Sequence, residues 1–195
     1  MDPNKRLKTA RNGLATLISI TALTALSFLD LPKQSKEVTY TCPTEYPVVT
    51  SSYGVRKARP HAGIDIRAYC GTKIFASAEG KVVFVEEGKN AGFGNSVIIY
   101  HPDGLYTHYA HLQDSSIRVK EGDYVVTGEQ IALAGNTGLA NMPCHLHFEV
   151  REEESYLREH LWKHDSQGNR AGVKPVEDWT VHINPEDVLP GMEHK

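Results

Sequence analysis

The amino-acid sequence predicts a mainly β fold built from antiparallel sheet. Short apolar runs follow one another between Tyr46 and Arg151, and clusters of Gly, Pro, Asn and Asp separate them at the spacing of strands and turns. Over the same range, no long segment repeats its apolar residues with the 3.6-residue period of a helix. Short strands in succession, without helices between them, favour antiparallel sheets.

Nine apolar runs are predicted to be strands, and a tenth, Val181-His182-Ile183-Asn184-Pro185, is predicted to close the domain. The turn His101–Gly104 contains Pro, Asp and Gly, so we expect it to join two of these runs into a hairpin. The nine runs are Val48–Ser51, Ile64–Ile66, Ile74–Ala76, Lys81–Glu86, Ser96–Tyr100, Leu105–Ala110, Tyr124–Val126, Gln130–Ala134 and His145–Arg151.

Length and charge narrow the class of protein. The chain has 195 residues, which is enough for one domain and a short extra segment. Its 21 Lys and Arg residues oppose 24 Asp and Glu residues, for a net charge of -3. Because there is no basic field, we expect no nucleic-acid partner. Histidine is abundant: there are ten, and five of them lie between His101 and His147.

The N-terminus has the features of a targeting segment. Four basic residues between Lys5 and Arg11 precede an uncharged run, Gly13–Leu29, which as a helix would span about 25 Å. We predict that residues 1–30 are a signal peptide or an anchor in the inner membrane. The anchor is favoured because the cleavage signal, Ala25–Ser27, is weak. Either form sends the rest of the chain out of the cytoplasm, membrane-anchored or secreted. Residues 31–45 are polar and aperiodic, which indicates a linker.

The run His145–Val150 carries the first chemical motif. It alternates, so His145, His147 and Glu149 are predicted on one face of a strand, with Leu146, Phe148 and Val150 on the other. We expect the apolar face to join the core and the polar face to be an open surface. The Cα atoms of the two histidines would lie about 7 Å apart, so one could bind a metal while the other reaches a substrate. Taken alone, the pattern also fits two surface histidines.

A second motif combines His61 with Asp65. In a straight strand their Cα atoms would be about 13 Å apart, too far for both side chains to bind one ion at ~2.0–2.2 Å. The chain must therefore bend between them if both are ligands, and Gly63 is where a bend costs least. With one further His, the pair would give three ligands and an open fourth position, as in a catalytic zinc site. Spacing alone favours an ordinary surface pair.

Together with Tyr109-Ala110-His111-Leu112, these two motifs resemble the three signature motifs of the lysostaphin/LytM-type zinc metallopeptidases. The resemblance covers residues 48–150 and Ile183-Asn184-Pro185, and it extends to connecting segments such as Gly135–Gly138. It implies a domain over residues 46–190 with a groove above the zinc site. Residues 152–180 would be an insertion in this domain, either peripheral, shaping one end of the groove, or contacting an envelope protein partner.

The resemblance also implies roles for individual residues. One zinc ion per chain would be bound by His61, Asp65 and His147, and the two catalytic histidines would be His111 and His145. The sequence does not say which of these two histidines handles the proton of the water and which stabilises the developing oxyanion. The implied activity is that of a zinc endopeptidase hydrolysing cross-bridges or stem peptides of bacterial peptidoglycan, and the implied location is the cell envelope, periplasmic or extracytoplasmic. The alternative is a non-catalytic envelope module of the same fold that binds or activates another wall hydrolase. All five residues are present, which favours the enzyme.

Two further predictions depend on this site. Cys70 lies five residues after Asp65 and Cys144 directly precedes His145, so a site that joins these ligands brings the cysteines close together. In an exported protein we expect a Cys70–Cys144 disulfide, with Cys42 outside it. On a regular strand, His108 and His111 would point to opposite faces. The resemblance selects His111 as the catalytic residue.

Overall fold

The computed structural model describes residues 37–54, 60–88, 92–138, 142–152 and 182–195, which form eleven strands in two sheets and one short 3-10 helix, Pro185–Asp187. The strands are β1 Val48–Ser51, β2 Ile64–Arg67, β3 Lys73–Phe75, β4 Gly80–Glu86, β5 Asn95–Tyr100, β6 Leu105–Leu112, β7 Tyr124–Val125, β8 Gln130–Leu133, β9 His145–Glu152, β10 His182–Ile183 and β11 Glu193–His194.

The larger sheet has the strand order β11-β1-β2-β9-β6-β5-β4-β7, and β10 pairs with β9 beyond the end of β2. Every pairing is antiparallel except that of β1 with β11. Strands β3 and β8 form the smaller sheet. The predicted mainly β, antiparallel fold is therefore confirmed. The described part of the chain contains no helix of the length and hydropathy that a membrane crossing requires. The predicted N-terminal segment, residues 1–30, and nearly all of the insertion lie outside the described residues.

The hydrophobic core lies on one face of the larger sheet. Leu146, Phe148 and Val150 of β9 are completely buried there, in one cluster with Ile74 and Ile131 of the smaller sheet. Burying a side chain of this size contributes roughly 1.5–3 kcal/mol, so the cluster fixes which face of β9 points inward. Because successive side chains alternate, the histidines of β9 must occupy the opposite face. The predicted core face of this strand is confirmed.

The segment before β1 differs from a free linker. Residues 37–45 have no regular secondary structure, but the Tyr40 side chain is only 4% exposed and belongs to the core cluster. Its hydroxyl donates to the carboxylate of Asp103, and the backbone of Thr41 donates to the Ser77 carbonyl at 2.8 Å. The polar composition suggested a linker, but one buried aromatic residue is enough to hold the segment against the domain. The free Cys42 lies in this segment.

Candidate active site

Two neighbouring strands present the first pair of candidate ligands. Strand β2 pairs with β9 so that Asp65 lies directly opposite His147, and Arg67 lies opposite His145. Directly opposed residues of an antiparallel pair project to the same side, with Cβ atoms about 4.5–5.5 Å apart. The side chains of Asp65 and His147 therefore meet on the face of the sheet opposite the core.

His61 reaches the same point because the chain bends, as predicted, at Ala62 and Gly63, just before β2 begins. Gly63 serves a purpose other than the one expected. A Cβ atom at this position would lie 2.2 Å from the carbonyl oxygen of Phe148 and 2.7 Å from Cγ of Glu149. The absence of a side chain therefore lets the bend pack directly onto β9, which brings His61 to the pair.

The three candidate ligands form a compact triangle. Nε2 of His61 lies 3.1 Å from Oδ1 of Asp65 and 3.1 Å from Nδ1 of His147, and the third edge, between His147 Nδ1 and Asp65 Oδ1, is 3.0 Å. A tetrahedral zinc ion with bonds of ~2.0–2.1 Å separates its ligand atoms by about 3.3 Å. The triangle is therefore close to the size that one such ion requires, with a fourth direction left open.

Hydrogen bonds at the far side of each ring show why this triangle needs a cation. His61 Nδ1 donates to the backbone carbonyl of Ser52 at 2.9 Å, and His147 Nε2 donates to Oε1 of Glu149 at 2.9 Å. In the neutral rings, the lone pairs of the other two nitrogens then point at each other and at the Asp65 carboxylate. Three acceptors this close are stable only around a proton or a metal ion, so these residues fit a zinc site.

The pKa values of His147 and Asp65 are set by the same hydrogen bonds. Burial opposes charge on His147, but hydrogen bonds with Asp65 and Glu149 outweigh it and raise the pKa of His147 to about 9. Burial also opposes ionisation of Asp65, but hydrogen bonds from His147 and His61 hold its pKa well below the ordinary value. In the zinc-free protein a proton on His147 therefore occupies the centre of the triangle, and a metal ion must displace it.

The two candidate catalytic histidines lie beside this triangle. The ring of His111 is centred 5.0 Å from that of His145 and 5.8 Å from that of His147. Backbone carbonyls fix both tautomers: His111 Nδ1 donates to Thr137 at 2.8 Å, and His145 Nδ1 donates to Pro143 at 2.9 Å. In each ring, Nε2 is left as the proton acceptor. For His145 this atom lies 3.8 Å from Oδ1 of Asp65.

The burial of His111 keeps its ring neutral. Desolvation is the largest effect on its pKa, and the nearby rings of His147 and His145 add to it. Together they outweigh the hydrogen bond to Thr137 and lower the pKa of His111 to about 4. Near pH 7 this imidazole is therefore uncharged and able to accept a hydrogen bond or a proton at Nε2.

A β-bulge places His111 in the site. In the pairing of β5 with β6, Val97 opposes Tyr109 and Asn95 opposes Leu112, so Ser96 faces two residues of β6. His111 has a φ of 60°, which is rare for a residue other than glycine. The extra residue reverses the alternation, so Leu112 points into the core like Tyr109, three positions earlier.

The expectation that His108 and His111 point to opposite faces is therefore wrong. His108 pairs with Glu149 across β6 and β9, on the same face as His147, and the bulge turns His111 to that face as well. His108 lies deeper. Its Nδ1 is 3.4 Å from Oε2 of Glu149, whereas the His111 ring faces the rings of His145 and His147.

The polar face of β9 is covered, contrary to the open surface that was expected. The exposed fraction of Glu149 is 0% and that of Arg151 is 2%. The ring of Phe93 lies over this face, centred 4.7 Å from the ring of His108 and 5.6 Å from that of His147. The guanidinium of Arg151 lies 6.0 Å from the centre of the same ring. Phe93 stands alone between two glycines, so no pattern indicates its role, and the alternation of β9 predicts the face of Glu149 but not its burial.

A groove of about 550 Å³ opens next to the site, and Asp65 and His145 form part of its wall. The disulfide predicted between Cys70 and Cys144 is confirmed, with Cα atoms 5.2 Å apart, and Cys42 is free as expected. This disulfide lines the same groove, together with Arg67, Tyr69 and Met142. It therefore connects the segment after β2 to the loop that leads into His145.

An antiparallel β domain that gathers two imidazoles and a carboxylate into one metal-sized triangle, next to a groove, offers the donor set that a metal-dependent hydrolase uses. The chain is a member of Peptidase family M23, whose model matches residues 59–159, just over half of the sequence. This match confirms the resemblance of the sequence motifs to lysostaphin/LytM-type peptidases.

Individual relatives agree with this assignment. The chain is 41% identical over 115 residues to the DD-carboxypeptidase/endopeptidase Mpg of Neisseria meningitidis, covering 56% of this chain and 25% of that protein. It is 40% identical over 95 residues to the peptidoglycan DD-endopeptidase ShyA of Vibrio cholerae, covering 49% and 21%. Among solved structures, the antimicrobial peptidase lysostaphin of Staphylococcus simulans superposes with a TM-score of 0.52 at 26% identity, covering 72% of this chain and 47% of that one. The chain thus spans about a quarter of the length of these two curated relatives.

Proposed function

We propose that this protein is a zinc-dependent endopeptidase that hydrolyses peptide bonds in the cross-bridges or stem peptides of bacterial peptidoglycan. One observation carries the proposal: five side chains converge beside the polar face of β9, three as a metal-sized triangle and two as imidazoles whose Nδ1 atoms are held by backbone carbonyls. His61, Asp65 and His147 are the proposed zinc ligands, with one ion per chain. The proposed catalytic residues are His111 and His145.

The proposed mechanism divides the chemistry between the metal and the two histidines. Zinc, when bound, lowers the pKa of its water towards ~7 and polarises the scissile carbonyl. The groove positions the peptide beside the ligands, and His145 stands in its wall. An imidazole of the His111–His145 pair accepts a proton from the attacking water at Nε2. The same imidazole then donates this proton to the leaving amine, while its neighbour orients the water or stabilises developing charge.

The substrate class rests on the relatives. Mpg and ShyA are named for endopeptidase activity, and ShyA for activity on peptidoglycan. Such a substrate requires an extracytoplasmic location, which agrees with residues 1–30 acting as an export signal or an inner-membrane anchor. We accordingly propose the cell envelope as its location. Residues 46–190 are proposed as the peptidase domain, and residues 152–180 as its insertion.

Digestion of purified peptidoglycan tests the proposal. The protein, loaded with zinc, should release peptides that mass spectrometry identifies, and the products should name the bond. Chelation should stop the reaction and added zinc should restore it, whereas Asp65→Ala should neither bind zinc nor cleave. A protein that binds one zinc ion yet leaves walls and defined muropeptides intact would instead be the non-catalytic envelope module.

A further inference from the structure

A second layer of charged side chains lies behind the metal triangle. Glu149 and Arg151 follow His147 at alternate positions of β9, and His108 lies opposite Glu149 on β6. All three are almost completely buried. A buried charge is costly unless its partners satisfy it, so this arrangement requires an explanation beyond packing.

The two oxygens of Glu149 have different partners. Oε2 accepts from Nε and Nη2 of Arg151, and His108 Nδ1 lies 3.4 Å from the same oxygen. Oε1 accepts from Nε2 of His147 at 2.9 Å. Arg151 therefore orients the carboxylate so that one oxygen is directed at the far side of the His147 ring. A carboxylate paired in this way has no proton to donate, so it accepts only.

We propose that Glu149 and Arg151 are positioning residues that together fix the His147 tautomer needed for metal binding. Glu149 requires the hydrogen on Nε2 of His147, and this leaves the lone pair of Nδ1 facing His61 and Asp65. Arg151 holds Glu149 in place and keeps Oε1 available. The inference rests on the proposed metal site but not on any particular substrate, and neither residue contacts the reacting atoms.

Glutamine at position 149 separates this role from simple packing, because it has nearly the same shape as glutamate but only one acceptor oxygen. Arg151 presents two donors, so it will take that oxygen. The amide NH₂ then faces Nε2 of His147 and can only donate to it. His147 must accept there and carry its hydrogen on Nδ1, where the metal should bind. In Glu149→Gln the isosteric residue therefore selects the wrong tautomer.

Zinc affinity, measured by competition with a chromophoric chelator, is the test. Glu149→Gln should weaken zinc binding by about 10–100-fold, the usual range for partners of a ligating histidine. The double variant Glu149→Gln/Arg151→Met should recover most of this loss, because the glutamine oxygen is then free to accept from His147. Glu129→Gln, which makes the same chemical change at a half-buried residue just after a surface turn, is the matched control and should bind zinc like wild type.

Two further measurements make the outcome specific. Imidazole ¹⁵N shifts of the zinc-free protein in alkaline buffer should show the hydrogen of His147 on Nε2 in wild type and on Nδ1 in Glu149→Gln. Thermal unfolding with chelator present reports folding separately. Wild-type zinc affinity in Glu149→Gln overturns the inference, as does an equal loss in the double variant or a loss that simply follows the zinc-free unfolding temperature. If wild type itself bound no zinc, the metal site would fail and the inference with it.

Discussion

Replacing the Cys70–Cys144 disulfide with two serines should strongly destabilise the domain. The bond joins residues separated by 74 positions. In the chain-entropy model, opening a loop of this length adds about 15 cal/mol/K to the entropy of the unfolded chain, or about 4.5 kcal/mol at room temperature. Domains are typically stable by only about 5–15 kcal/mol, so the variant should fold but sit close to the threshold. Serine nearly preserves side-chain volume, so packing changes contribute little.

Urea unfolding of Cys70→Ser/Cys144→Ser measures this effect, with Cys42→Ser as the matched control because Cys42 is outside the bridge. The free energy of unfolding should fall by up to about 4.5 kcal/mol in the double variant and by far less in the control. Under conditions where the variant remains folded, kcat should also fall, because Cys144 adjoins the Pro143 carbonyl that orients His145. A loss of stability below about 1 kcal/mol would refute the reasoning, since the ends of the loop would then already be held together without the bond.

Three other predictions concern the site and its support. His111→Ala should lose ~10²–10⁴-fold in kcat with zinc still bound, whereas His108→Ala should keep most of kcat and lose stability. Kinetics and zinc analysis on both proteins check this. If His108→Ala lost kcat and His111→Ala did not, the catalytic role would belong to His108. Gly63→Ala should lower the free energy of unfolding by at least ~1–3 kcal/mol, because its Cβ would lie 2.2 Å from the Phe148 carbonyl oxygen. Urea denaturation measures this free energy, and a value equal to that of wild type would contradict the prediction. Zinc must displace a proton from His147, whose pKa is about 9. The apparent affinity for zinc should therefore rise about tenfold per pH unit up to that pKa and level off beyond it. Chelator competition across pH measures this slope, and an affinity that does not change with pH would disprove the displacement.

Much of the fold could be predicted because alternation is a local property. The faces of β9 follow directly from its sequence, and so does the need for a bend between His61 and Asp65. The resemblance, rather than the spacing, identified the five candidate site residues, and the structure brings all five together. It also contains the predicted disulfide, which depended on that convergence.

The features that could not be predicted depend on contacts between distant segments. The bulge at His111 requires a positive φ in a residue that rarely adopts one, and only the pairing of β5 with β6 imposes it. Phe93 belongs to a segment without periodicity, and only the folded chain brings the centre of its ring within 6.0 Å of the Arg151 guanidinium. Strand β11 is short and polar, and it forms only because β1 offers it a parallel partner.

The docking of Tyr40 changes where the globular unit begins. A protein truncated at Tyr46, the boundary that the composition predicts, would lose an aromatic residue from the core and expose the cluster that receives it. It would also leave the Asp103 carboxylate, in the turn between β5 and β6, without the Tyr40 hydroxyl that donates to it. A boundary placed before Tyr40 keeps both contacts.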